Sequence, residues 1–253
     1  MTLLIHSLQS EWLKRKGSLA SWLVLVGALF TPSIITLTQI LRPAKVPAQF
    51  ASPDFWEAYF KNSWQSMLAL LLPMGIILAV TLVTQLEYKN NAWKQLHTTP
   101  QPLTVVFVSK FLVLMALQVQ LFILFNVAIF LSAVVTSAVL PTVSFPTEPF
   151  PWSHFITESA YFFIDSLPIV AIQFGLSLLF RNFLVAVGTG LLFLVTTLVM
   201  LSWEFAFVFP YNYGLLNYLG RFPEKNLHGF ALGWFAFVMI LSYILYIRKN
   251  DKA

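Results

Sequence analysis

The chain of 253 residues contains no cysteine, which excludes disulfides, thiolate metal sites and a cysteine nucleophile and leaves the redox compartment open. Charge is scarce as well. Asp, Glu, Lys and Arg make up 10% of the residues, against about 25% in an ordinary soluble domain. A soluble globule needs far more polar surface than this to cover its core. There is no GxxxxGK[ST] loop to cradle a phosphate and no HExxH pair to hold zinc. The histidines, His6, His97, His154 and His228, are scattered, and no serine has a histidine partner at a legible spacing. Internal repeats, heptad runs and low-complexity linkers are also missing. Catalysis by this chain alone is therefore not expected, and if ATP is used the nucleotide binds another subunit.

What is present is apolar. Hydrophobic residues make up 58%, with 25 Phe and 8 Trp, and the mean hydropathy is +0.77. This is the composition of a polytopic membrane protein. A spanning helix needs about 20 mostly apolar residues, and six windows meet that length, at 19–41, 64–86, 103–140, 159–180, 183–203 and 228–247. The third is too long for a simple crossing, so it runs tilted or extends past the far face. Only Arg181 and Asn182 separate the fourth and fifth, which predicts a tight hairpin. The first window exceeds the apolar core of a signal peptide and no small-x-small cleavage site follows it, so it reads as a retained span.

A net charge of +5 with a pI near 9.5 suggests nucleic acid in a soluble chain. Placement removes that reading, because most bases flank apolar segments. Six spans put both termini on one side. With them inside, the inner face carries Lys14, Arg15, Lys16, Lys89, Lys94, Lys110, Arg181, Arg248, Lys249 and Lys252, and the outer face Arg42, Lys45, Lys61, Arg221 and Lys225. This two-to-one bias predicts cytoplasmic termini.

Four features are more than plain spans. In residues 2–16, Leu4, Ile5, Leu8, Trp12 and Leu13 recur on one helical face and predict an amphipathic helix in the inner interface, either a simple anchor or a helix beside a cytoplasmic partner. The loop at 88–98 places Trp93 and Leu96 three apart among Lys89, Lys94 and Gln95, before Pro100 and Pro102 end it. It reads as a short helix with a small apolar face, lying on headgroups or acting as a rigid peg. The outer segment at 204–222 is strongly aromatic, with Glu204, Phe209 and Tyr211, but Pro210 and Gly214 interrupt a continuous helix. It reads as short re-entrant or interfacial helices, or as an aromatic belt. Asp165 is the one acid well inside a window, just before Pro168. An ionisable group there is a functional candidate for transport or gating, although water from the outer boundary can reach it. No second membrane carboxylate completes a protease pair.

These residues resemble a known family. Ser10-Glu11-Trp12-Leu13-Lys14-Arg15-Lys16 ahead of the first span looks like the membrane subunits of type-2 ABC exporters. The inner loop adds Glu87, Asn91, Trp93-Lys94-Gln95-Leu96, Thr99-Pro100 and Ser109-Lys110, which is similar to bacterial permeases of the lantibiotic-protection and bacitracin-resistance branch. The resemblance covers nearly the whole chain in layout through short motifs. It implies an all-α, six-span permease in the bacterial cytoplasmic membrane that pairs with a second permease chain, identical or related, and with two cytosolic ATPase subunits that carry ATP and Mg. This chain itself binds no cofactor or metal. Glu87, Asn90, Asn91, Trp93, Lys94, Leu96 and His97 then form the coupling helix in an ATPase groove. Leu8, Glu11, Trp12 and Lys14 belong to the connecting helix, and Asp165, Glu204, Phe209 and Tyr211 to the gate or substrate path. The expected cargo is a hydrophobic or amphipathic peptide, lipid-linked molecule or drug. Two rivals stay open at this point: a membrane anchor or assembly subunit without transport, and a proton-coupled transporter using Asp165.

Overall fold

A computed structural model of the chain describes residues 2–89, 102–180 and 182–250. Every regular element among them is helical. The chain opens with α1 (Thr2–Arg15), which stops at Gly17. Gly17 takes φ +77°, a left-handed conformation that strains any residue with a Cβ. The chain turns there, and Ser18 accepts a bond from Ser21 N to cap α2 (Leu19–Leu41). A short α3 (Val46–Phe50) leads into α4 (Phe55–Ser66) and α5 (Leu72–Lys89), which run on through one wide π-turn at Met67–Leu71. Pro73 explains that turn. It lacks a backbone donor and its ring crowds the carbonyl of Ala69 one turn earlier, so the helix widens to clear it. Then follow α6 (Leu103–Val139), α7 (Trp152–Leu179), α8 (Phe183–Val199), the short α9 (Tyr213–Tyr218) and α10 (Leu227–Asn250).

Six segments are long and apolar enough to cross a membrane: Leu19–Leu41, Phe55–Gln85, Leu103–Val139, Trp152–Leu179, Phe183–Ser202 and Leu227–Lys249. Two begin earlier than the hydropathy windows at 64 and 159. In α4 the face Phe55, Trp56, Tyr59, Phe60, Ser63 and Trp64 is buried, while Glu57, Lys61 and Asn62 point out. The polar half depresses the windowed hydropathy although the helix continues. Trp152 to Glu158 extends α7 in the same way, with Phe155 and Ser159 on the buried side.

α7 is the central helix and packs against α10, α5, α8 and α9; α2 lies across α6 and α5, and α1 lies on α6. Polar groups mark both ends of the bundle. At the end that carries the termini, Lys249 of α10 donates to the last carbonyls of α7, Leu178 and Leu179, at 2.9 and 2.8 Å, where a cation suits the helix dipole. Gln85 of α5 donates to the Phe180 carbonyl at 3.0 Å, and Asn182 caps α8 across the tight hairpin. At the opposite end, Tyr59 meets Ser132 at 2.8 Å and Thr136 donates to Gln39 at 2.8 Å, tying α4, α6 and α2 together. Close helix approach is found at Gly190, where a Cβ would run into Gln173 and Ile77, but not at Gly188, which faces open space.

Candidate functional site

The terminal end holds the first candidate. α1 is amphipathic, yet the side it turns toward the bundle is not the apolar one. Ser7 and Glu11 are buried and Leu4 and Leu8 half-buried, while Trp12 is 44% and Leu13 67% exposed. A helix lying in a membrane interface has apolar surroundings on its free side, so its Trp and Leu face outward and its polar stripe seeks polar partners in the protein. Those partners are adjacent residues near the start of α6. Ser7 Oγ lies 2.8 Å from Ser109 Oγ. Because Ser109 donates to the Val106 carbonyl, Ser7 is the donor of that pair. Lys110 Nζ donates to Glu11 Oε2 at 3.1 Å, with both side chains almost fully buried, and Lys14 donates to Glu11 Oε1 at 2.6 Å. Arg15 adds a cation–π contact over Trp12 at 3.8 Å. Spacing of i, i+4 on α1 thus matches two consecutive residues on α6 and clasps one helix to the other.

Of the residues assigned to the connecting helix, Glu11 and Lys14 are bonded in this clasp, Leu8 packs beside it, and Trp12 faces away. Ser7 was missed because it falls outside the apolar face of Leu4, Ile5, Leu8, Trp12 and Leu13, the only face that the sequence pattern marks. Of the coupling residues, Glu87 falls in the last turn of α5. Asn90, Asn91, Trp93, Lys94, Leu96 and His97 lie outside the described residues.

The opposite end holds the second candidate. Asp165 of α7 is buried, and each of its oxygens has a partner from another element. His228 Nδ1, in the first turn of α10, lies 2.7 Å from Oδ1, and Asn217 Nδ2 of α9 donates to Oδ2 at 2.6 Å. With Asp165 ionised, the carboxylate only accepts, and the contact then places a His228 proton on Nδ1. Tyr161, one turn before Asp165, stacks on the His228 ring at 4.6 Å between centroids. One side chain therefore joins α7, α9 and α10.

The outer residues named with Asp165 do not converge on it. Glu204 is exposed, Phe209 is half-buried with its ring 6.2 Å from that of Trp203, and Tyr211 is buried against Phe193 of α8. Burial pushes the Tyr211 and Tyr213 phenols above their usual range, which keeps both neutral. The non-helical stretch at Tyr211 and Asn212 is buried in protein, as irregular backbone near a bilayer requires. His228 and Asn217 are the partners of Asp165 that sequence reasoning missed. A usable signal existed, since His228 opens the last window at the end away from the C-terminus and Asp165 lies toward the same face. Among the described residues no group of three His, Cys, Asp or Glu could hold a metal ion.

The profile of the ABC-2 family transporter proteins matches residues 7–200. The chain belongs to this ABC-2 family. No curated protein and no solved structure matches it. It is a multi-pass ABC-2 permease, a membrane component of an ABC transporter rather than an enzyme in its own right, and permeases of this family work with an ABC ATPase. The matched stretch contains Ser7, Glu11, Ser109, Lys110 and Asp165, and it ends before Asn217 and His228.

Proposed function

We propose that this ABC-2 permease is the membrane half of an ATP-driven exporter of hydrophobic or amphipathic molecules, powered at the end of the bundle that carries both termini. One observation carries the reading: the interfacial helix α1 is clasped to α6 by two buried polar pairs, Ser7–Ser109 and Glu11–Lys110. A push delivered beside α1 reaches a spanning helix without slack. The basic bias of this end makes it cytoplasmic, in a bacterial inner membrane. Residues 88–98, with Glu87, Asn90, Asn91, Trp93, Lys94, Leu96 and His97, form the coupling peg that enters the ATPase. Two ATPase copies hold ATP and Mg, and a second permease chain, identical or related, completes the pathway. The spelling of the loop supports the lantibiotic-protection and bacitracin-resistance branch. At the outer face, the Asp165–Asn217–His228 junction acts as the latch of the exit.

The test is reconstitution of the full chain with its ABC ATPase. ATP hydrolysis is expected to rise when the permease is present, and Trp93→Ala or Leu96→Ala to remove the stimulation while leaving the permease folded. An ATPase that neither binds the chain nor responds to it would contradict the proposal. The Asp165–His228 contact gives a proton-coupled carrier one supporting observation. That reading requires movement without ATP and its loss in Asp165→Asn.

A further inference from the structure

Between α2, α5 and α6 the bundle leaves a cleft of about 580 Å³, within the roughly 300–1,000 Å³ range of small-molecule sites. Trp22, Gly27 and Phe30 of α2, Met74 of α5, and Leu114 and Leu121 of α6 represent its walls, which carry no charged side chain. From Leu19 to Phe30, the stretch of α2 that lines it, a helix rises about 16 Å. That is half of an apolar core about 30 Å thick, so the cleft belongs to the leaflet at the terminal end.

One lining residue breaks the pattern. Gln118 of α6 is 5% exposed. Its Nε2 donates to Ser166 Oγ, and Ser166 in turn donates to the Phe163 carbonyl at 2.7 Å. This relay fixes which end of the amide is nitrogen, because Ser166 has no hydrogen left to give. Gln118 Oε1 is then a buried acceptor with no partner among the described residues. A carbonyl removed from water without a donor is destabilising. The oxygen is covered in the unliganded chain, and because Gln118 lines the cleft a ligand that brings the donor reaches it by shifting the amide side chain.

We propose that the cleft binds one long-chain molecule carrying a neutral hydrogen-bond donor, a hydroxyl or an amide N–H, that reaches Gln118 Oε1. The chain fills the apolar walls, and the donor satisfies Gln118 Oε1. A charged headgroup is excluded from this depth by the uncharged lining. Occupancy needs neither ATP nor an ATPase, so the site stands or falls apart from the exporter reading.

The probe is a diazirine-bearing sixteen-carbon alcohol, compared with its methyl ether, on the purified full chain in lipid nanodiscs. Cross-linked residues are read by mass spectrometry. The alcohol is expected to label α2, α5 and α6 around the cleft about tenfold more than the ether, a ratio worth one well-made hydrogen bond. Gln118→Leu should bring the alcohol down to the ether. Gly27→Phe, which fills the cleft from α2, should suppress both. Equal labelling by alcohol and ether in the unaltered chain would overturn the donor-specific site, and it requires no variant to fold. The chain has no cysteine, so a disulfide between copies bearing Phe30→Cys would report a second copy over the cleft and would also overturn the proposal.

Discussion

The two ends of the bundle each carry one polar junction in apolar surroundings, and they are built differently. At the terminal end, Glu11 and Lys110 are opposite charges buried almost completely, with Lys14 and the Ser7–Ser109 pair beside them. At the opposite end, Asp165 is buried but its partner His228 is 32% exposed and Asn217 is neutral. Parting the first pair strands charges in a poorly solvated place. Parting the second strands one buried charge, Asp165, whereas His228 is already in reach of water and Asn217 carries no charge. The first junction is suited to hold through a cycle and the second to open in one.

Mutations can break this contrast, and the largest effect belongs to the clasp. Lys110→Met leaves Glu11 buried with its buried charge partner gone, and loss of about 3–5 kcal/mol is expected for such a change. Thermal unfolding in detergent measures it. Combining it with Glu11→Gln should restore much of the loss, because no deeply buried charge of the pair then remains and Lys14 is partly open to water. A double variant no more stable than Lys110→Met would show that the pair acts through something other than charge.

Asp165→Asn should be milder, about 1–3 kcal/mol, the size of a lost hydrogen bond in a buried site. Its clearer signature is at α9: a cysteine placed at Leu219, an exposed residue just past that helix, should react faster with a polar thiol reagent once the Asp165 junction is weakened. Unchanged reactivity would mean that α9 is held by packing alone. Gly190→Ala probes the shared middle of the bundle, where a methyl meets Gln173 and Ile77. Overpacking there should cost about 1–3 kcal/mol, whereas Gly188→Ala, facing open space, should leave the midpoint unchanged. At the bottom of the scale, Glu57→Gln removes an exposed pair with Lys61 and should not shift the melting midpoint measurably.

Legibility followed the physics of each signal. Long apolar runs report burial in lipid directly, so six spans and the 183–203 hairpin partner could be read from composition alone. Their ends were harder. Residues 55–63 alternate buried aromatics with Glu57, Lys61 and Asn62, and an average over a window hides a helix whose two faces differ. Asp165 stood out because a lone acid in an apolar run is rare. Its partners did not, because hydropathy carries no information about which residue 52 or 63 positions later meets it in space. The orientation of α1 misled for a related reason. Amphipathic reasoning assumes water opposite the apolar face, and here the polar stripe of Ser7 and Glu11 faces protein. Gln118 carried no signal at all, since one glutamine in a span reads the same whether it is satisfied or not. The family resemblance in Glu11 and Ser109-Lys110 fell on residues that the fold brings together.

The contrast between a fixed and an opening junction is tested most directly by two spin-label distances in the cysteine-free chain, assembled with its ATPase. One pair, at Leu13 and Leu112, spans α1 and α6; the other, at Ile156 and Leu219, spans α7 and the segment after α9, and all four positions are exposed. Pulsed electron resonance without nucleotide and with trapped ATP should show the first distance unchanged and the second shifted. A first distance that moves while the second stays fixed would contradict the account.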